Sequence, residues 1–265
     1  MSGSGIDSRP GQNGIGEVAL VTGGGTGIGK AVCEQLVAAG AKRIYLTYSR
    51  SAAEAEATAE ELRAAGAEAF AVQSDLADPE ASRALAARIS EEAGRLDHLV
   101  NNAGITELIP FDDLDAVTTE VWDRLLRTNV IGTFELTRAV GPLLKAAHGS
   151  VVNIASIAAR RAIGSSIPYG VTKAAVVQLT KAFAVALAPE VRVNAVSAGT
   201  VRTRWHDQLV GADVASERQQ VEAGLVPLKR LADADDIAAS VVGLLAMPFV
   251  TGEDLLVDGG KGLKY

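Results

Sequence analysis

Tyr169 and Lys173 stand four residues apart in the run Pro168-Tyr169-Gly170-Val171-Thr172-Lys173-Ala174. Four residues is close to one helical turn, so a helix here puts the phenol and the ammonium on one face. A free phenol, with a pKa of about 10, is a poor acid–base group near neutrality. A cation about 4 Å away, at an effective dielectric of about 20, favours the phenolate by about 4 kcal/mol before desolvation is counted. That is enough to lower the tyrosine pKa by about two to three pH units, at about 1.36 kcal/mol for each. A tyrosine so poised suits proton exchange with a hydroxyl or carbonyl oxygen. Tyr and Lys at this spacing arise often by chance, so the pair needs a second feature. The glycine-rich turn Thr22-Gly23-Gly24-Gly25-Thr26-Gly27-Ile28-Gly29 supplies it. It follows an apolar run and opens a helical pattern, where glycines let the backbone approach a pyrophosphate and a helix N-terminus offers free N–H groups.

The elements that must hold these groups alternate along the chain. Strands are expected at Val18–Val21, Ile44–Thr47, Ala69–Val72, His98–Val100, Val151–Ile154, Val191–Val196 and Asp254–Val257. Helical patterns fall between them, over 30–39, 52–65, 79–93, 119–147, 169–188 and 233–246. Such alternation predicts a single α/β domain of doubly wound Rossmann type, a seven-stranded parallel sheet with helices on both faces and ligands at the strands' carboxyl ends. Residues 1–16, rich in Gly and Ser, read as a flexible leader, and 17–265 as the catalytic domain. The stretch 204–225 reads as polar and irregular.

Composition narrows the function. With 48% hydrophobic residues the chain can bury a core. A net charge of −7 without a basic run argues against nucleic acid. No apolar run reaches spanning length; Ile237 to Met247 reads as a buried helix, and no membrane partner is expected. Cys33 is the single cysteine, so no intrachain disulfide forms and a cytoplasmic location fits. His98, His148 and His206 lack metal-ligand spacing, so no metal is expected and His98 and His148 read as structural.

Several short runs in this order resemble the short-chain dehydrogenase/reductases. They are the glycine turn, Asp75-Leu76, Asn101-Asn102-Ala103-Gly104, Thr128-Asn129-Val130, Ser156 thirteen residues before Tyr169, the Tyr169/Lys173 pair, and Val257-Asp258-Gly259-Gly260. The resemblance covers residues 17 to 260 and is closest to the oxoacyl-carrier-protein reductase and sugar or steroid dehydrogenase types. It implies a nicotinamide cofactor, a carbonyl or alcohol substrate and a homodimer or homotetramer. It also implies roles. Gly23, Gly25, Thr26, Gly27, Ile28 and Gly29 would cradle the cofactor's phosphates. Asp75 and Leu76 would border the adenine, and Asn102, Ala103 and Gly104 the adenosine side. Ser156 would hold the substrate oxygen while Tyr169 exchanges the proton. Lys173 would tune the tyrosine and bond the nicotinamide ribose, and Asn129 would order a water in a relay to the lysine. Gly199, Val201 and Thr203 would face the nicotinamide amide and the phosphates, and Trp205 would wall the substrate under a mobile cover. Ala198 stands where relatives usually carry proline, and Thr26 near a point where many NADP-preferring relatives are basic.

The second strand's end bears on the cofactor. Tyr48-Ser49-Arg50-Ser51 offers no carboxylate for a ribose diol, whereas Arg50 can pair with a 2′-phosphate and Ser51 can donate to it. NADP(H) is therefore expected in preference to NAD(H), the alternative being a solvated arginine and an N-cap serine. Arg160 and Arg161 read either as a solvated pair or as an attractor of an anionic substrate. Trp122 reads as core or interface. A dinucleotide-sensing regulator and a methyltransferase are the rival readings; the second leaves Ser156, Tyr169 and Lys173 without a task.

Overall fold

The protein is described by a computed structural model covering residues 15–203 and 211–263. Seven strands, β1 (Val18–Val21), β2 (Arg43–Tyr48), β3 (Glu68–Gln73), β4 (His98–Asn101), β5 (Ser150–Ser156), β6 (Arg192–Ala198) and β7 (Asp254–Val257), form one sheet in the order β3-β2-β1-β4-β5-β6-β7. Every pairing is parallel. The chain runs outward from β1 to β3, returns to place β4 beside β1, and then runs outward on the other side. The direction of winding reverses between β1 and β4, and the crevice this opens at their carboxyl ends is where such sheets bind ligands.

Alternation along each strand feeds two cores. Ala19 and Val21 face one layer, with Cys33 and Leu36 of α1 (Gly27–Ala38), Ala55 and Leu62 of α2 (Ala52–Ala64), and Ile237, Val241 and Leu244 further along the chain. Val18 and Leu20 face the other, with Leu85 and Ile89 of α3 (Pro79–Ala93) and later Leu136, Val140 and Phe183. The period of two makes this sorting automatic once both faces are covered.

The stretch 119–147 reads as one helix from sequence, but the structure divides it. α4 (Thr119–Leu126) passes through a π-helical segment, Arg127–Gly132, into α5 (Thr133–Ala147). The segment lies where a Cβ on Gly132 would stand 2.3 Å from the Leu76 carbonyl oxygen, so only glycine permits this approach. The π turn takes one extra residue, and Asn129 lies buried within it. α6 (Ile167–Ala186) carries Tyr169 and Lys173.

A second correction falls after β6. Ala212–Leu225, expected to be irregular, is helix α7, and α8 (Ala234–Ala246) follows it. The residues of α7 are good helix formers, but its apolar residues make no stripe, so periodicity gave no signal. Among the described residues no helix is long and apolar enough to cross a membrane.

His98 opens β4 and is buried. The Gly16 amide donates to its Nε2 at 2.7 Å, so the ring proton sits on Nδ1 and is donated to Ser150 Oγ at 2.9 Å. Burial lowers its pKa to about 4; neighbouring Asp97 acts against this and Arg192 with it. The neutral ring's stabilisation is complete above the unfolded value of about 6.5 and is lost as pH falls towards 4, about 3 kcal/mol in all. Thermal unfolding of wild type and His98→Gln across pH 4–6.5 checks this: the wild-type Tm should fall more steeply with acid than the variant's. Parallel curves would remove His98 from the account.

Candidate active site

The carboxyl ends of β1 and β4 are stapled by polar contacts. Thr22 Oγ1 accepts from the Asn102 and Ala103 amides, each at 2.9 Å. The Asn102 side chain returns the link, donating to Thr22 O at 2.9 Å and Gly23 O at 3.2 Å. Asn102 therefore shapes the glycine turn. Gly23 and Gly27 hold left-handed φ values of 64° and 54°. Gly29 has no room for a Cβ, which would meet Gly23 O at 2.2 Å. Gly25 is required by α2, since its Cβ would lie 2.8 Å from the Ala55 Cα.

The turn delivers the start of α1 with its amides unspent. Thr26 occupies the N-cap without a side-chain capping bond, and no acidic residue lies in the first turn. A Cβ on Gly27 would meet only Thr203, at 3.5 Å, so Thr203 stands beside the turn, with open space otherwise. This is a cradle for an anionic group. At the end of β2, Tyr48 is half-buried and Arg50 is exposed, without an ion pair among the described residues. Ser51 is the N-cap of α2 but makes no side-chain capping bond, so its hydroxyl is available to a ligand. Asp75 Oδ1 accepts from the Ala77 amide at 2.9 Å, forming the turn that buries Leu76. A dinucleotide with a phosphorylated ribose fits these residues.

The chemical groups stand on β5 and α6. Ser156 ends β5 opposite Ala198 of β6, and its Oγ accepts from the Ala158 amide at 3.2 Å. Ser166 caps α6, accepting from the Tyr169 amide at 3.3 Å, with Pro168 in the first turn. This fixes the phenol one turn into the helix. The Tyr169 ring packs against the cluster of Ile109, Val121 and Leu125. Lys173 is buried; its Nζ donates to Ile154 O at 2.9 Å and stands 5.7 Å from the Tyr169 ring centre.

The expected depression of the tyrosine is not found here. Although part of the ring's surface is accessible, burial dominates and pushes the phenol above its ordinary value. The hydrogen bond with Ser156 acts in the opposite direction and is the weaker influence. Lys173 is itself lowered, to about 8, by burial. Its ammonium donates to a backbone carbonyl, and the phenol's own shift follows from burial and Ser156.

Asn129 reaches across from the π segment. Its Oδ1 accepts from the Ile105 amide at 2.8 Å, and its Nδ2 donates to Ile105 O at 2.9 Å and to Thr172 Oγ1 at 3.1 Å. A Cβ on Gly104 would lie 3.2 Å from Asn129 Oδ1 and 3.5 Å from Lys173 Nζ. Gly104, Asn129 and Lys173 thus converge. The Asn129 side chain clamps Ile105, and no bond runs from it to the lysine.

Beyond β6, a Cβ on Gly199 would lie 2.8 Å from the Asp258 Cα, and buried Val201 bridges to Ala232. Glu222 of α7 is bonded by Thr200 and by Lys261, so the helix is tied to both the post-β6 loop and the C-terminal turn. Trp205 and His206 lie outside the described residues. Trp122 is half-buried and absent from the three buried clusters. Arg160 and Arg161 are both exposed, as a solvated pair would be, but each is also tethered within the fold. Arg160 Nε donates to Asp254 Oδ2 at 2.8 Å, and Arg161 bonds the Gly262 carbonyl, so both tie the segment after Ser156 to the C-terminal region. Sequence reasoning assigned no task to Thr22, Ser166, Thr172 or Asp254. Only Ser166 carried a local signal, as a serine ahead of Ile-Pro at a helix start.

Comparison with known proteins finds relatives along nearly the whole chain. A family model described as enoyl-(acyl carrier protein) reductase matches residues 23–261. A candidate ketoacyl reductase of the granaticin polyketide synthase from Streptomyces violaceoruber is 42% identical over 248 residues, 93% of this chain and 96% of its own. The 3-oxoacyl-[acyl-carrier-protein] reductase FabG of Staphylococcus aureus is 34% identical over 247 residues, 91% of this chain and 96% of its own. The crystal structure of a short-chain dehydrogenase from Burkholderia cenocepacia in complex with NADP superposes with a TM-score of 0.83 at 33% identity, covering 96% of this chain and all of that one. The chain belongs to the short-chain dehydrogenase/reductase family of oxidoreductases.

Proposed function

We propose that the protein is an NADP(H)-dependent reductase of carbonyl compounds, with Tyr169 as the proton donor and Ser156 as the partner of the substrate oxygen. The observation that carries this reading is the convergence of Ser156, Tyr169 and Lys173 at the crevice whose glycine turn and Arg50 are free for a phosphorylated dinucleotide. NADPH supplies the hydride when bound. The α1 amides, Thr203 and Ser51 would hold its phosphates, and Arg50 would pair with the 2′-phosphate. Asn102 and Gly104 would line the adenosine side, and Lys173 would hold the nicotinamide ribose. Ser156 donates to the carbonyl oxygen as charge develops there, and Tyr169 delivers its proton to that same oxygen. Burial holds the phenol above its ordinary pKa, so it carries the proton that reduction consumes. NAD(H) at the same site is the alternative, and Arg50 argues against it.

Residues 17–265 act as one catalytic domain in this proposal, in the cytoplasm and as a homodimer or homotetramer. Support for assembly comes from exposed Ile131, Phe134, Val171 and Val185 on the π segment, α5 and α6. Consumption of NADPH, followed by absorbance against a panel of ketones headed by 3-oxoacyl thioesters, tests the activity. Arg50→Ala should weaken NADPH about ten- to hundredfold, the loss of one charge-assisted contact, and leave NADH unchanged. Equal losses for both cofactors would take the 2′-phosphate away from Arg50.

A further inference from the structure

We propose that Thr172 is a positioning residue that locks Asn129 to the Tyr169 turn, an inference that rests on the reductase reading above. Thr172 lies between the two acid–base residues and is fully buried. Its Oγ1 donates to the Tyr169 carbonyl at 2.8 Å. That carbonyl can only accept, so the hydroxyl proton is committed to it. The hydroxyl oxygen is then left to accept, and Asn129 Nδ2 donates to it at 3.1 Å. The donor roles fix the orientation of the Asn129 amide. With Nδ2 turned to Thr172 and Ile105 O, Oδ1 must face the Ile105 amide, which donates to it at 2.8 Å. An amide turned the other way would set Nδ2 against an N–H and lose these bonds.

The arrangement has functional consequences because of where it sits. Asn129 Oδ1 borders Gly104, and Lys173 Nζ borders the same glycine. Movement of the Asn129 amide therefore changes the polar surroundings of the lysine and the backbone that faces the cofactor. The Asn129 carbonyl is held separately, by Thr133 Oγ1 at 2.8 Å, so the π segment is anchored to α5 and Thr172 acts on the side chain alone, beside the two Ile105 bonds. Thr172 thus couples the element bearing Asn129 to the one bearing Tyr169 and Lys173.

Thr172→Val keeps the shape and removes the hydroxyl; Thr172→Ser keeps the hydroxyl and removes the methyl group. In the full-length protein Thr172→Val should lower kcat about ten- to hundredfold, as expected when one buried donor loses its partner. KM for NADPH should stay near the wild-type value, the pH profile of kcat should shift, and Thr172→Ser should restore both. Exchange of the Ile105 amide, read by hydrogen–deuterium exchange without substrate, should quicken in Thr172→Val and not in Thr172→Ser. A wild-type kcat and pH profile in Thr172→Val would overturn the proposal. So would equal losses in both variants, which would assign Thr172 to packing. If wild type itself shows no NADPH-dependent turnover, the reductase reading fails. Ile105 exchange then still decides whether Thr172 holds Asn129.

Discussion

Tyr169→Phe should lower turnover about a hundred- to ten-thousandfold while NADPH binding is kept. The substitution removes one oxygen and leaves the ring against Ile109, Val121 and Leu125, so packing and fold should survive. What is lost is the proton for the substrate oxygen, which Ser156 alone can only partly replace by hydrogen bonding. Since burial raises the phenol, wild-type reduction should hold its rate through neutral pH and decline only in alkali. Steady-state kinetics with NADPH in excess would check both statements. Full turnover in Tyr169→Phe would remove the tyrosine from the mechanism.

Lys173→Met should abolish most turnover and yet stabilise the unliganded protein. The lysine is buried and its pKa is lowered to about 8, so the folded state binds fewer protons than the unfolded state between about 8 and 10.4. Below pH 8 the cost of the buried charge is fully present, and it is relieved as pH rises through that window. At neutral pH this cost is about 3 kcal/mol, from which about 1 kcal/mol is subtracted for the bond lost at Ile154 O. A net gain of about 2 kcal/mol should raise Tm in the methionine variant at pH 7, and the gain should shrink towards pH 10. A lower Tm with the same loss of activity would show that the lysine is a structural strut.

The fold was legible where local chemistry marks both ends of an element. α3 shows this: Asp78 caps it, Pro79 opens it, and Gly94 closes it at a φ of 67°. β1 and β7 were equally clear as apolar runs between glycine and aspartate signals. The π segment at Asn129 could not be read, because the helical period continues through 119–147 and the close contact of Gly132 with Leu76 lies across the fold. α7 was hidden for the opposite reason, having helix-forming residues but no apolar stripe. The Tyr169/Lys173 spacing marked the site, but the direction of the tyrosine shift depended on burial, with Ser156 acting against it, which spacing does not carry. Arg160 and Arg161 likewise carry no local sign of the C-terminal groups, Asp254 and the Gly262 carbonyl, to which they are bonded.

The most direct test is titration of the purified wild-type protein with NADPH and with NADH, following nicotinamide fluorescence. The account predicts saturable binding of both, with NADPH tighter by about tenfold or more, the worth of one charge-assisted contact. Equal or tighter binding of NADH would contradict the 2′-phosphate role of Arg50, and binding of neither would contradict the reductase itself.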